Sequence, residues 1–273
     1  MCLMACVTFK RAASQRRRRE VVERIAWNGW NAGNESGLGL VSYHNGEELP
    51  ILRSLDFLNF SLRLRRGEVP IGERALIHAR LSTNKIDLAH THPFTDDGAS
   101  LIHNGVVRLA EGVKPPAVKT TNDSELLLRL YLEGGRLLER ALEGTYGLAN
   151  TMLADVLLGK VYLYPDMGDF LVYEGSKVVE TLYCQSEKQI HGLTNARPVD
   201  HLEAGTIYGL PLKMGRGRDL EEALVAVKRP DPPPMNYTQF SDLDGMVSLY
   251  QWEKLQESET EPRGREYFRF GRL

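Results

Sequence analysis

Apolar residues along this chain are spaced first as a short strand, then as helices, and later as a series of short strands. The run from Leu3 to Phe9 is apolar and predicts a strand. Helical spacing from about Arg17 to Trp27 predicts a helix, and the Asn- and Gly-rich residues 28–39 predict a loop after it. The Asn45-Gly46 pair then predicts a hairpin turn that ends a strand in this part of the chain.

The next hundred residues alternate between helical and extended patterns. Residues 51–67 carry leucines at roughly helical spacing and predict a helix. Two short apolar segments, residues 74–82 and 99–107, predict strands. The second of these contains Asn104-Gly105, so we expect that strand to be broken there.

The clearest helical pattern lies in residues 122–144. Either Asn122 or Asp123 can cap its start, and Gly134-Gly135 interrupts it. Short extended segments then follow one another and predict five strands, at Leu148 to Leu153, Lys160 to Tyr164, Phe170 to Tyr173, Val178 to Tyr183 and Thr206 to Leu210.

This order of elements predicts an α+β fold in which helices cover stacked antiparallel sheets, rather than a doubly wound parallel sheet. No internal repeat is visible. After about Met214 the composition changes to proline-containing and polar segments, which are typical of an extension with little regular structure. We therefore predict one domain over residues 1–213 and an extension over residues 214–273, with one short helix near Met246 to Leu255.

Composition narrows the class of protein. The 273 residues are 42% hydrophobic and 26% charged, with a formal net charge of -2, as in ordinary globular proteins. Near-neutral charge argues against nucleic-acid binding driven by phosphate attraction, and the basic run Arg16 to Arg19 is typical of a solvated helix start. The odd count of three cysteines fits a reducing compartment. With no apolar run of membrane-spanning length and no signal pattern, we expect a cytoplasmic protein without membrane association.

Three polar clusters follow strands or begin a helix, and each has an ordinary structural interpretation beside a functional one. Arg80 and Thr83 follow a strand, where a guanidinium and a hydroxyl can bind a carboxylate, or Arg80 can form a surface ion pair. Asn104 and the backbone N–H of Gly105 can stabilise an oxyanion, or mark a hairpin turn or bulge. Asp123 can bind an ammonium group, or serve only as a helix cap.

Cys2 carries the nucleophile hypothesis. If Met1 is removed, one residue combines a thiol with an α-amino base whose reference pKa is about 8. The alternative is that Cys2 is a buried residue at the start of a strand, since cysteine is often buried. Cys6 is the weaker candidate for a nucleophile because it has no α-amino base. Together the clusters supply what hydrolysis of an amino-acid amide needs.

Cys2 is followed, in order, by "HARLST" at 78–83, "HPF" at 92–94, "HNG" at 103–105 and "DSE" at 123–125. In this series of motifs the chain resembles the class II glutamine amidotransferases of the N-terminal-nucleophile hydrolase superfamily. The resemblance covers roughly residues 2 to 212. It implies a four-layer αββα sandwich of two stacked antiparallel sheets.

The resemblance also implies a role for each matched residue. Cys2 attacks the side-chain amide of L-glutamine, and its α-amino group relays the proton. Asn104 and Gly105 form the oxyanion hole. Arg80, with Thr83 beside it, binds the substrate carboxylate, and Asp123 binds the substrate ammonium. No cofactor is implied.

Four histidines, His78, His90, His92 and His103, raise the question of a metal. No spacing in the sequence matches a closed zinc site, so we expect no metal, and we expect His78 and His103 to be structural residues flanking the pocket.

Members of the family usually pass ammonia to a synthase domain in the same chain. Here about sixty residues follow the region of resemblance, so we expect a separate ammonia-accepting synthetase or amidating enzyme, docked by the proline-rich tail. Two alternatives stay open. One is an N-terminal-Cys amidohydrolase that acts on another amide, and the other is a catalytically silent regulatory subunit.

Overall fold

The structure is a computed structural model that describes residues 2–82, 85–166, 168, 170–174, 176–193, 197–214 and 222–230. The helices within these residues are α1 (Gln15–Asn31), α2 (Phe57–Arg65), α3 (Asp123–Glu133) and α4 (Leu138–Glu143), with a short 3₁₀ helix at Glu187–Ile190. The strands are β1 (Leu3–Phe9), β2 (Leu38–His44), β3 (Glu47–Glu48), β4 (Leu52–Ser54), β5 (Arg74–Ala79), β6 (Phe94–Asp96), β7 (Ala99–Leu109), β8 (Thr145–Asp155), β9 (Lys160–Tyr164), β10 (Phe170–Glu174), β11 (Val179–Cys184), β12 (Arg197–Leu202), β13 (Thr206–Pro211) and β14 (Glu222–Ala226).

The strands form two antiparallel sheets. The first has eight strands in the order β12-β10-β11-β1-β5-β2-β3, with β4 also paired to β2. The second has six strands in the order β14-β13-β9-β8-β7-β6. The first strand of the chain is therefore central in its sheet, with β5 on one side and β11 on the other.

Side chains of β1 alternate between two cores, as the period of two in a strand requires. Met4 and Cys6 face the second sheet and pack in the core between the sheets. Ala5, Val7 and Phe9 face the helices α1 and α2 on the other side of the first sheet. A separate core joins α3 and α4 to the outer side of the second sheet. The order of layers is helix, sheet, sheet, helix, so the predicted four-layer αββα sandwich is confirmed.

Capping side chains explain where three of the helices begin. Ser14 accepts a hydrogen bond from the backbone N–H of Arg17, and Asp56 accepts one from Asn59. Asn122 accepts one from Ser124, so of the two predicted caps for α3 it is Asn122 that serves.

Several predicted elements are confirmed. The turn at Asn45-Gly46 has φ of 53° and 90°, the left-handed values that this pair favours in hairpins. Gly134-Gly135 separates α3 from α4. The basic run does begin a helix, but Arg18 is buried and donates to the carbonyl oxygen of Ile71 at 3.0 Å.

Three predictions were wrong in detail. The first turn of the predicted helix at 51–67 is the strand β4, because Leu52 and Ser54 alternate inward on the edge of β2 before Asp56 caps α2. The predicted loop at 28–39 begins later, since α1 continues to Asn31. The strand β7 is not broken at Asn104-Gly105, where it stays paired residue by residue with β8.

The described residues extend beyond the predicted boundary at residue 213. The strand β14 pairs with β13, and Arg229 donates to the carboxylate of Asp166 at 2.6 Å. The helix predicted near residues 246–255 lies outside the described residues, and the division into residues 1–213 and 214–273 stays a prediction. In the part of the chain that the structure describes, no helix has the length and apolar character needed to span a membrane.

The core between the sheets gives a direct test of the layer arrangement. Leu76 is fully buried there, whereas Leu58 on α2 is 68% exposed. We expect Leu76→Ala to lower the free energy of unfolding by about 2–5 kcal/mol, because it leaves a cavity that the two sheets cannot close. Leu58→Ala, the matched control, should change it by less than about 0.5 kcal/mol. Urea denaturation measures both, and equal effects would contradict the stacking described here.

Candidate active site

Cys2 lies directly before β1, beside the end of β5. Its backbone N–H donates to Oδ1 of Asn104 at 3.1 Å, which joins the first sheet to the second. The backbone N–H of Leu81 donates to the Cys2 sulfur at 3.3 Å, and the thiol lies 3.5 Å from the carbonyl oxygen of the same residue. The half-buried thiol is thus held by the chain that continues from β5.

Asn104 and Gly105 lie on β7. The side chain of Asn104 is buried, and its Nδ2 donates to Oε1 of Gln185 at 3.2 Å. Gly105 has a φ of 153°, and a Cβ added to it would lie 2.1 Å from the carbonyl oxygen of Leu148. Only glycine fits this close approach, which explains how the strand passes the site without a break.

Arg80 is buried one residue beyond β5. Its backbone is fixed on both sides, since its N–H donates to Gly37 and its carbonyl oxygen accepts from Ser36. Its guanidinium donates through Nη1 to the carbonyl oxygen of Lys85 at 2.9 Å. Burial lowers the pKa of Arg80, while the neighbouring Cys2 and nearby carboxylates oppose this, so the group stays a cation.

Asp123 is the first residue of α3. Its Oδ2 accepts a hydrogen bond from the backbone N–H of Val107 at 2.8 Å, two residues beyond Gly105. This bond ties the start of α3 to the strand that carries Asn104. Thr83, the remaining predicted site residue, lies outside the described residues.

The charges of Arg80 and Asp123 both affect the pKa of the Cys2 thiol. Burial raises its pKa, the Leu81 N–H and the Arg80 charge lower it, and the Asp123 charge raises it again, with a net increase. The structure therefore brings Cys2 into contact with Asn104, and Arg80 and Asp123 into electrostatic reach of the thiol. Because its pKa is raised, the resting group is a neutral thiol that needs a base before it can attack.

Three histidines form a buried chain behind these residues. His92 Nε2 lies 2.8 Å from the Ser124 hydroxyl, and His103 Nδ1 lies 3.0 Å from the same oxygen. The His78 ring contacts the His92 ring at 4.0 Å between centroids, and His78 Nε2 donates to the carbonyl oxygen of His103 at 3.2 Å. Burial lowers the pKa of His78 to about 3 and that of His92 well below its usual value, so both rings are neutral.

The two ends of this chain are both fixed by protein groups. His103 Nε2 faces the carbonyl oxygen of Leu148 at 3.2 Å and must donate to it. The Ser124 hydroxyl lies between His92 Nε2 and His103 Nδ1 and can donate to only one of them. Among the described residues, no group of three or more His, Cys, Asp or Glu side chains is arranged to hold a metal ion.

Two contacts at the site involve residues that the sequence did not single out. The backbone of Leu81 holds the thiol, and the side chain of Gln185 holds Asn104. Backbone contacts leave no mark in a sequence, and Gln185 is 81 positions away from Asn104. No spacing rule connects two residues that meet only because β11 and β7 belong to different, stacked sheets.

The fold of this chain is similar to the folds of two solved structures. The chain superposes on the glutamine phosphoribosylpyrophosphate amidotransferase from B. subtilis, complexed with ADP and GMP, with a TM-score of 0.60 and 14% identity, over 85% of this chain and 51% of that one. A structure described as the allosteric regulatory enzyme of purine biosynthesis gives a TM-score of 0.60 and 10% identity, over 85% of this chain and 50% of that one. This chain shares their fold.

The resemblance expected from the sequence is thus confirmed as a likeness of fold. The chain spans about half the length of these two solved structures. A predicted glutamine amidotransferase from Pseudomonas aeruginosa matches with a TM-score of only 0.36 at 16% identity, over 81% of this chain and 89% of that one. No protein-family model and no curated protein matches the sequence significantly.

The electrostatics of the thiol give opposite expectations for two variants. Asp123→Asn removes a charge that raises the Cys2 pKa, so the pH midpoint for alkylation of Cys2 by iodoacetamide should fall relative to the unchanged chain. Arg80→Met removes a charge that lowers this pKa, so the midpoint should rise. Cys6 and Cys184 are buried with pKa values raised to about 11 and about 12, so they should stay unmodified.

Peptide mass spectrometry assigns the alkylated cysteine in each preparation. Shifts of the same sign in both variants would contradict the assigned electrostatics.

Proposed function

We propose that this chain is a glutamine amidotransferase subunit that hydrolyses L-glutamine to glutamate and ammonia, with Cys2 as the nucleophile after removal of Met1. The observation that carries the proposal is the 3.1 Å hydrogen bond from the Cys2 backbone nitrogen to Asn104 Oδ1. It joins a cysteine at the second position of the chain to the asparagine of the "HNG" segment, within the fold of an amidotransferase.

The reaction begins with removal of the thiol proton. The raised pKa of Cys2 makes a base necessary, and the freed α-amino group of the same residue provides one, through a bridging water. The sulfur then attacks the side-chain amide carbon of glutamine, and the negative charge develops on the amide oxygen. The Asn104 Nδ2 and the Gly105 N–H are the donors for this oxyanion.

The intermediate collapses as the amide nitrogen takes the proton and leaves as ammonia. The thioester between Cys2 and the glutamyl group is then attacked by water, which the α-amino group deprotonates. Glutamate is released and the thiol recovers its proton. No metal or cofactor takes part in these steps.

The substrate is held by its two charged ends. Arg80, with Thr83, binds the α-carboxylate, and Asp123 binds the α-ammonium. One buried cation and one carboxylate close to the thiol match a free amino acid better than a peptide or an acyl amide. This match favours glutamine over the alternative of another amide, and the presence of Cys2, Asn104 and Gly105 disfavours a silent regulatory subunit.

Ammonia is the product that a glutamine amidotransferase subunit supplies to another reaction. We propose that a separate synthetase or amidating enzyme accepts it, with the proline-containing residues after 214 as the docking segment. In the isolated chain, ammonia and glutamate should then appear in equal amounts, because no acceptor competes for the ammonia.

The nucleophile is tested by changing the cysteines one at a time. Cys2→Ala should abolish glutamate release, since it removes the attacking sulfur. Cys6→Ala is the matched control, and it should keep most of the activity because Cys6 is buried in the core between the sheets. Enzymatic assay of glutamate measures both variants.

Intact-mass analysis of the active protein should give the mass of a chain that begins at Cys2. Retention of Met1 on fully active protein would overturn the role of the α-amino base.

The two ends of the substrate give a second test. Arg80→Lys keeps the charge and loses the planar pair of donors, and Asp123→Asn keeps the shape and loses the charge. Because a charged hydrogen bond contributes about 1.5–3 kcal/mol, each change should lower kcat/KM for glutamine by about ten- to a hundredfold. Both variants should still be alkylated at Cys2. Unchanged glutamine turnover in both would show that these residues do not hold the substrate.

A further inference from the structure

The side-chain amide of Asn104 can adopt two orientations that differ by a half-turn and exchange its oxygen with its NH₂ group. Hydrogen-bond partners decide between them. In the structure, Oδ1 accepts from the Cys2 nitrogen at 3.1 Å, and Nδ2 donates to Gln185 Oε1 at 3.2 Å. Both contacts favour the same orientation.

The reversed orientation would harm the proposed reaction in two ways. The NH₂ group of Asn104 would donate to the lone pair of a free Cys2 amine, and that lone pair could no longer take the thiol proton. The oxygen of Asn104 would also replace the donor for the oxyanion and repel it. Only the observed orientation leaves the base free and keeps a donor available, because Nδ2 has two hydrogens and Gln185 takes one.

The backbone of Gln185 is itself held by hydrogen bonds. Its backbone N–H donates to Oε1 of Gln189 at 3.1 Å, and the Gln189 side chain is 2% exposed. The carbonyl oxygen of Gln189 accepts from Nδ2 of Asn28 at 2.9 Å, on α1. A series of hydrogen bonds thus runs from the outer helix, through the 3₁₀ helix at Glu187–Ile190, to the amide beside the thiol.

From these contacts we infer that Gln185 is a positioning residue, which selects the orientation of the Asn104 amide and so keeps one N–H for the oxyanion and the Cys2 amine free to act as a base. Its effect on catalysis rests on the proposed function. Its effect on the Asn104 amide does not, and can be measured separately.

Kinetics of Gln185→Met test the catalytic consequence. Methionine has a similar length and offers no comparable acceptor, so only the Cys2 nitrogen is left to orient the Asn104 amide. Because a free amine can donate or accept there, both orientations should be populated. We expect kcat for glutamine to fall about tenfold while KM changes less than about twofold, because the oxyanion donor acts in the transition state. Gln15→Met is the matched control, because it also removes side-chain amide hydrogen bonds but lies on α1. Gln15 donates to the carbonyl oxygen of Ile71 at 2.7 Å and accepts from the Ile71 N–H at 2.9 Å. The Gln15→Met change should leave kcat unchanged.

A double-mutant cycle distinguishes positioning from a general loss of structure. If Gln185 acts through Asn104, then Gln185→Met should cost less than about twofold in kcat when Asn104→Ala is already present. If the losses in kcat of the two single variants multiply in the double variant, the inference would be overturned. A rise in KM with unchanged kcat in Gln185→Met would overturn it as well. The melting temperature of each variant shows whether it is folded.

An activity-independent measurement separates this inference from the proposed function. The side-chain NH₂ signals of Asn104, identified by their loss in Asn104→Ala, should shift and broaden in Gln185→Met and stay unchanged in Gln15→Met. Unchanged signals in Gln185→Met would overturn the positioning role whatever the activity. Absence of glutamate release by the unchanged chain would overturn the proposed function, and these signals alone would then decide the role of Gln185.

Discussion

The hydrogen bond between the Cys2 nitrogen and Asn104 Oδ1 is the contact on which the candidate site depends, because it connects the two stacked sheets beside the thiol. A neutral hydrogen bond of this kind contributes only about 1 kcal/mol, so it cannot hold the sheets in place by itself. The apolar core between them, with Met4 and Ile102 among its residues, fixes their spacing instead. The contact is therefore a consequence of packing.

Electrostatics at the thiol reflect a balance between burial and charge. Burial is the largest influence on the Cys2 pKa and keeps it raised, although the Leu81 N–H and the Arg80 charge lower it. The proposed binding of a zwitterion rests on this arrangement of one cation and one carboxylate beside a neutral thiol. The two charges that would hold a substrate under the proposed function therefore act on the Cys2 pKa in opposite directions.

The sequence predicted those turns and helix ends that depend on only a few neighbouring residues. The Asn45-Gly46 turn and the capped start of α3 follow from backbone preferences of single residues. The strand β4 was missed because the helical spacing of Leu55, Leu58, Leu62 and Leu64 extended the predicted helix back over residues 52–54, which instead pair with β2. The path of β7 through Gly105 was also missed, because a glycine at positive φ usually ends a strand and here stays within a ladder.

The candidate site was predicted from the order of its motifs, but its supporting contacts were not. Motif order indicates which residues belong to one site and says nothing of what holds them. Leu81 acts through its backbone, and Gln185 meets Asn104 across two sheets. Such contacts arise from tertiary packing, which a single sequence does not encode in any local pattern.

The segment Asp123-Ser124-Glu125 shows how much structure one such motif can carry. Asp123 accepts from β7, Ser124 joins the buried histidines, and Glu125 accepts from the backbone N–H groups of Lys119 and Thr120 at 2.8 and 2.6 Å. Burial raises the Glu125 pKa, but these bonds outweigh it and lower the pKa overall, so this side chain is a carboxylate. Negative charge in the first turn also suits the helix dipole.

Three consecutive residues therefore attach α3 in three different directions. A helix attached in this way cannot rotate without breaking bonds to β7, to the histidines or to the preceding loop. The carboxylate of Asp123 is thus attached to the same strand that carries Asn104. Under the proposed function, this attachment would fix where an ammonium group bound by Asp123 lies relative to Asn104.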